Sequence, residues 1–63
     1  MSLYDYKESM DLAARDYGFY PLIMAAMRKA DDINACRLRS AWPDIWIELK
    51  QRYNAPGGII EGD

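Results

Sequence analysis

The sequence predicts an all-α fold, a small three-helix domain that completes its core as a homodimeric helical bundle. Three observations lead there. Apolar residues recur at helical spacing in three successive segments. The junctions between those segments carry Gly18, Ser40 and Asn54, residue types that begin or end helices. Finally, 63 residues of which 51% are hydrophobic hold more apolar surface than one core of that size can hide. The domain is expected over residues 1–54 and a flexible C-terminal tail over 55–63.

The first helix is expected over residues 3–17. Leu3, Tyr6, Met10, Ala13 and Tyr17 follow one another at spacings of 3, 4, 3 and 4, which places them on a single stripe. Ser2 suits the N-cap, and Asp5 and Glu8 lie early, at the positive end of the helix dipole. Gly18 is expected to end the helix in the left-handed conformation.

The second helix is expected over residues 20–38, with Pro21 in its first turn, where a missing N–H is no loss. Ile23, Met27, Ala30, Ile33 and Leu38 keep the period, while Met24, Ala25 and Ala26 widen the apolar surface. A segment apolar nearly all round is buried on more than one side. Asp31 and Asp32 compete for local backbone bonds and are candidate breakers, but the pattern continues through them. The small residues of this helix make it the expected dimer seam, with Ile23, Ala26, Met27 and Ala30 at the contact.

The third helix is expected over residues 41–53, with Ser40 as N-cap and Pro43 in the first turn. Trp42, Ile45, Trp46, Leu49 and Tyr53 form its apolar face, and Glu48 and Arg52 make a favourably oriented i,i+4 pair. Asn54, Pro56 and the Gly57-Gly58 pair end it. The expected interior comprises Leu3, Tyr6, Met10, Ile23, Met27, Ile33, Ile45, Trp46 and Leu49.

Composition narrows the function. There is no histidine and one cysteine, so an internal disulfide and the common nitrogen and sulfur zinc sites are excluded. Without histidine the usual general base near neutral pH is missing, Ser2, Ser9 and Ser40 have nothing to activate them, and no glycine-rich phosphate loop precedes a lysine. No enzyme activity and no cofactor or metal is expected. Cys36 reads as a small, partly buried helix residue beside Arg37. The longest apolar run, Pro21 to Met27, is too short to span a membrane, and the N-terminal residues lack the pattern of a secretory signal. The expected location is the cytoplasm.

Charge is unevenly spread behind the net −2. Residues 1–17 carry Asp5, Glu8, Asp11 and Asp16 against Lys7 and Arg15. The basic set Arg28, Lys29, Arg37, Arg39, Lys50 and Arg52 follows, interleaved with Asp31, Asp32, Asp44 and Glu48. Three short helices with basic side chains also describe a helical nucleic-acid-binding regulator. That reading is the alternative, because no helix presents the run of basic and amide groups used on base edges.

Five tyrosines and two tryptophans are too many for so small a core to enclose, which favours a protein interface. Ile47 projects about 100° from Trp46 around the helix, and Tyr53 leads to Ile59 and Ile60 beyond a glycine hinge. Ile47, Tyr53, Ile59 and Ile60 are therefore expected to border the surface for a protein partner. Docking the two tail isoleucines could contribute on the order of 3 to 6 kcal/mol before ordering costs.

The run Ala41-Trp42-Pro43-Asp44-Ile45, followed by Glu48-Leu49 and by Arg52-Tyr53-Asn54-Ala55-Pro56-Gly57-Gly58, resembles the C-terminal segment of small early proteins of lambdoid bacteriophages. The length of 63 residues is also similar to that of a family product encoded between the exonuclease and excisionase genes. The resemblance covers about the last third of the chain. It implies an intracellular accessory protein, made early in infection, that favours lytic development and perturbs host regulation by binding a host or phage protein. It carries over no catalytic residue.

Overall fold

A computed structural model of the chain describes residues 2–63. It is all-helical, with no strand among the described residues. The helices number four, where the periodicity predicted three: α1 Leu3–Ala14, α2 Phe19–Lys29, α3 Asp32–Ala41 and α4 Pro43–Asn54, followed by a 3-10 turn at Pro56–Gly58.

Helix α1 begins as its sequence dictates. The Ser2 hydroxyl accepts the Asp5 N–H at 3.1 Å, and the Asp5 carboxylate accepts the Ser2 N–H at 3.1 Å, a complete capping box. Its end differs from expectation. The helix stops at Ala14, and Arg15 is extended at φ −81°, ψ 154°. Gly18 is not a left-handed C-terminal residue but the N-cap of α2, at φ −72°, ψ 164°. A Cβ at Gly18 would meet Cδ of Pro21 at 3.4 Å, about van der Waals contact, so the proline ring packs closely over this N-cap.

The expected second helix is broken in two. Ala30 turns extended at ψ 137°, and Asp31 caps α3 by accepting the Asn34 N–H at 2.8 Å. Asp31 thus supplies at the start of a new helix the bond it would forgo inside a continuous one. The next boundary is also displaced. Ser40 lies within α3, and Trp42, at φ −132°, ψ 68°, ends α3 and begins α4. Pro43 is the cause, since its ring disfavours helical backbone at the residue before it while suiting the first turn of the helix it opens. Asn54 is the last helical residue, not the residue beyond the end.

Helices α2, α3 and α4 pack on one another, and the Pro56–Gly58 turn packs on α4; α1 packs on none of them. The interior is correspondingly small. Among the described residues only Met27 and Leu49 are buried. Ile23, Ile45 and Trp46 are half-buried, whereas Leu3, Tyr6, Met10 and Ile33, also expected inside, are exposed. For Ile33 the break at Ala30 is responsible, because it resets the helical phase. For Leu3, Tyr6 and Met10 the stripe is real but no other helix packs over it among the described residues. The chain exposes 5454 Å², where a compact chain of 7.3 kDa exposes roughly 4,200 Å². The radius of gyration, 13.5 Å, likewise exceeds the roughly 11 Å of a compact chain of this length.

The tail turns back. Gly57 at φ 63° and Gly58 at φ 72° take the left-handed backbone that a side chain would resist. This aims the Gly58 carbonyl at Arg52, whose Nη1 donates to it at 2.9 Å. Where the sequence suggested an unrestrained segment, residues 56–63 lie folded against α4.

Candidate functional site

A groove of about 370 Å³ between α2 and α4 is lined by Met27, Arg28, Trp46, Leu49, Lys50 and Tyr53. Its floor follows from helical periodicity. Leu49 and Trp46 stand three residues apart on α4, with Tyr53 one turn beyond Leu49, and Met27 meets them from α2. Its rim is basic. Lys50 Nζ lies 5.1 Å from the centre of the Trp46 ring, and Arg39 of α3 lies 5.9 Å from the same ring. Arg28 lies 5.8 Å from the Tyr53 ring. Such cation–π pairs contribute about 0.5–1 kcal/mol each at exposed sites and hold charge beside aromatic surface. The groove combines apolar depth with positive edges, so it suits an apolar anchor flanked by acidic groups.

The residues expected to contact a partner are dispersed. Tyr53 lines the groove, while Ile47 is exposed roughly 120° away around α4. Ile59 is exposed, and Ile60 is half-buried, its N–H bonded to the Asp63 carboxylate at 3.1 Å. The expected dimer-seam residues are also divided. Met27 is buried in the chain's own interior, Ile23 and Ala30 are half-buried, and Ala26 alone is exposed.

Beside the groove, Arg52 is fully engaged. Its Nε donates to Glu48 at 3.3 Å, and Nη1 and Nη2 donate to the two Asp63 oxygens at 2.8 and 2.6 Å. The Asp63 carboxyl is lowered to about 2, by the Arg52 hydrogen bonds first and the Ile60 N–H second, while Arg52 is held still more firmly protonated by Asp63 and Glu48. Cys36, expected partly buried beside Arg37, is exposed, and its sulfur has Arg39 Nη2 at 3.9 Å. Among the described residues no group of three acidic, cysteine or histidine side chains gathers to hold a metal, and no helix is long and apolar enough to cross a membrane.

Sequence reasoning assigned Trp46 and Leu49 to packing and Arg28, Arg39 and Lys50 to a separate basic set. Their convergence was missed. The i,i+4 spacing of Trp46 and Lys50 was the available signal, since it sets a cation over a ring on one helix face. Comparison with family models, curated proteins and solved structures finds no match for this chain.

Proposed function

We propose that the protein is a non-enzymatic interaction module that works as a homodimer and binds a protein regulator. The role is that of an accessory protein in the host cytoplasm, made early in phage infection, which favours lytic development and perturbs host regulation. The observation that carries this reading is the amount of aromatic and aliphatic side chain left in water: Leu3, Tyr6, Tyr17, Tyr20, Ile47 and Tyr53 are each more than half exposed. Tyrosine and other large apolar side chains are enriched at protein interfaces, where one end is buried and the other stays wet. The groove beside Trp46 favours a partner segment with an apolar anchor and flanking acids.

The nucleic-acid alternative, which would use Arg28, Lys29, Arg37, Arg39, Lys50 and Arg52, is weakened by how those groups are occupied. Arg52 is bound to Asp63 and Glu48, and Arg28, Arg39 and Lys50 lie over aromatic rings. Capture from bacterial lysate at low and high salt, with and without nuclease, separates the readings. A protein retained after nuclease, only modestly weakened by salt, and lost with Lys50→Glu or Tyr53→Ser supports the module. Capture that vanishes with nuclease and falls steeply with salt supports the alternative.

A further inference from the structure

We propose that α1 is the dimer seam, its Leu3, Tyr6, Met10 and Ala13 stripe pairing antiparallel with the same stripe of a second copy. Leu3 of each chain then lies opposite Ala13 of the other, and Tyr6 opposite Met10. This rests on the reading of the protein as a dimeric module and names the surface that makes the dimer.

Helix α1 has a complete N-terminal cap and yet no cover. It packs on no other helix, and every one of its residues is exposed. A 12-residue helix with no tertiary contact is marginal in water, so a partner for its apolar face is what this helix lacks.

Direction decides where that partner comes from. Glu8 and Leu12 face α2 across a cleft of about 660 Å³. At roughly 100° per residue the Leu3, Tyr6, Met10 and Ala13 stripe is centred about 140° from Leu12, so it points away from its own chain. The stripe cannot be covered by closing α1 onto α2. Its spacing of 3, 4 and 3 is that of the seam between two helices, in which the same face serves both copies.

Area and charge favour a second copy over an unlike partner. The excess of about 1,250 Å² over a compact chain exceeds the roughly 800 Å² that each partner contributes to an interface of standard size. Glu8 lies on the far side of α1 and Asp5 about 120° from the centre of the stripe, on the side away from Lys7, so neither is in the seam itself. Lys7 flanks the stripe about 80° from its centre, and Asp11, opposite in sign, lies on the same side about 120° from the centre. The antiparallel register sets Lys7 of each copy within a turn of Asp11 of the other. Parallel pairing would instead put the Lys7 and Asp11 flanks of the two copies on opposite sides of the seam, with no such pairing, and would leave Ala13 facing Ala13 while Tyr6 met Tyr6. The seam expected on α2 is disfavoured because Met27 is already used inside the chain.

The test uses the full chain carrying Cys36→Ser, so that only introduced thiols report. Mixed Leu3→Cys and Ala13→Cys chains are expected to form the mixed disulfide at least tenfold faster than either forms with itself. Met10→Lys is expected to abolish that cross-link and to weaken dimerisation by at least tenfold in sedimentation equilibrium. Because α1 contributes nothing to the interior around Met27 and Leu49, the near-ultraviolet signal of Trp42 and Trp46 should persist in that variant. A dimer unaffected by Met10→Lys would overturn the α1 seam while leaving the dimeric module standing. Leu3→Cys chains linking preferentially to themselves would overturn the antiparallel register. A chain that stays monomeric at several hundred micromolar, even if the stripe then captures a different protein, would overturn the second copy as occupant.

Discussion

Arg52 and Asp63, eleven residues apart, face each other through two parallel hydrogen bonds of 2.8 and 2.6 Å. The planar guanidinium matches the carboxylate in the geometry that makes such pairs specific. The same arginine holds Glu48 and the Gly58 carbonyl, so one side chain ties the helix face, the glycine turn and the end of the tail together.

This latch has a defined pH response. The Asp63 carboxyl lies at about 2 in the folded chain against an ordinary 3.8. A carboxyl lowered on folding stabilises the latched tail fully above its unfolded value, and that contribution is lost as pH falls from about 3.8 through about 2. Protection of the Ile60 amide against hydrogen exchange, followed by nuclear magnetic resonance, should therefore survive at pH 5 and fall away toward pH 2. Loss of protection already complete at pH 4 would refute the pairing. Asp63→Asn should release the tail at neutral pH.

The glycine turn should be required for the same latch. Gly57→Ala forces a side chain into left-handed backbone at φ 63°, a cost of about 1 kcal/mol. The open space around this residue leaves backbone strain as the cause, the nearest atom to an added Cβ being 3.9 Å away. Proteolysis within residues 56–63 should accelerate in Gly57→Ala relative to the parent chain. Equal rates would mean that the turn does not hold the tail.

Stability should follow the observed burial and not the periodicity. Leu49→Ala removes one of the two side chains buried among the described residues and should destabilise the chain by about 2–3 kcal/mol, a large share of what so small an interior can supply. Ile33→Ala, at an exposed site that the sequence pattern placed inside, should change stability by less than about 0.5 kcal/mol. Urea titrations of the two variants distinguish these values, and equal losses would contradict the fold.

Asp31 should act as a cap. Asp31→Ala removes the acceptor for the Asn34 N–H and should cost about 1 kcal/mol, whereas Asp31→Asn, which keeps a side-chain oxygen, should cost little. Thermal unfolding of the pair is the measurement. A Asp31→Ala chain as stable as the parent would mean that the break at Ala30 is imposed by packing alone.

The sequence by itself determined what depends on neighbours within four residues. Helical periodicity fixed the all-α class, Ser2 and Asp5 fixed the start of α1, Pro43 marked a first helical turn although the start was expected at residue 41 and lies at 43, and the spacing of Trp46, Leu49 and Tyr53 fixed the inner face of α4. These bonds close over three or four residues, so composition at short range sets them. The tertiary structure decided where each helix points. The extended backbone at Arg15 and Gly18 carries α1 away from the rest, and the two extended residues Ala30 and Asp31 change the phase that would have buried Ile33. The groove is legible only once α2, α3 and α4 bring Arg28 to Tyr53 and both Arg39 and Lys50 to Trp46. The Arg52–Asp63 latch was equally hidden, because two left-handed glycines reverse the chain between its partners. Periodicity shows that a helix has an apolar face; a few backbone angles in the connections decide what, if anything, that face meets.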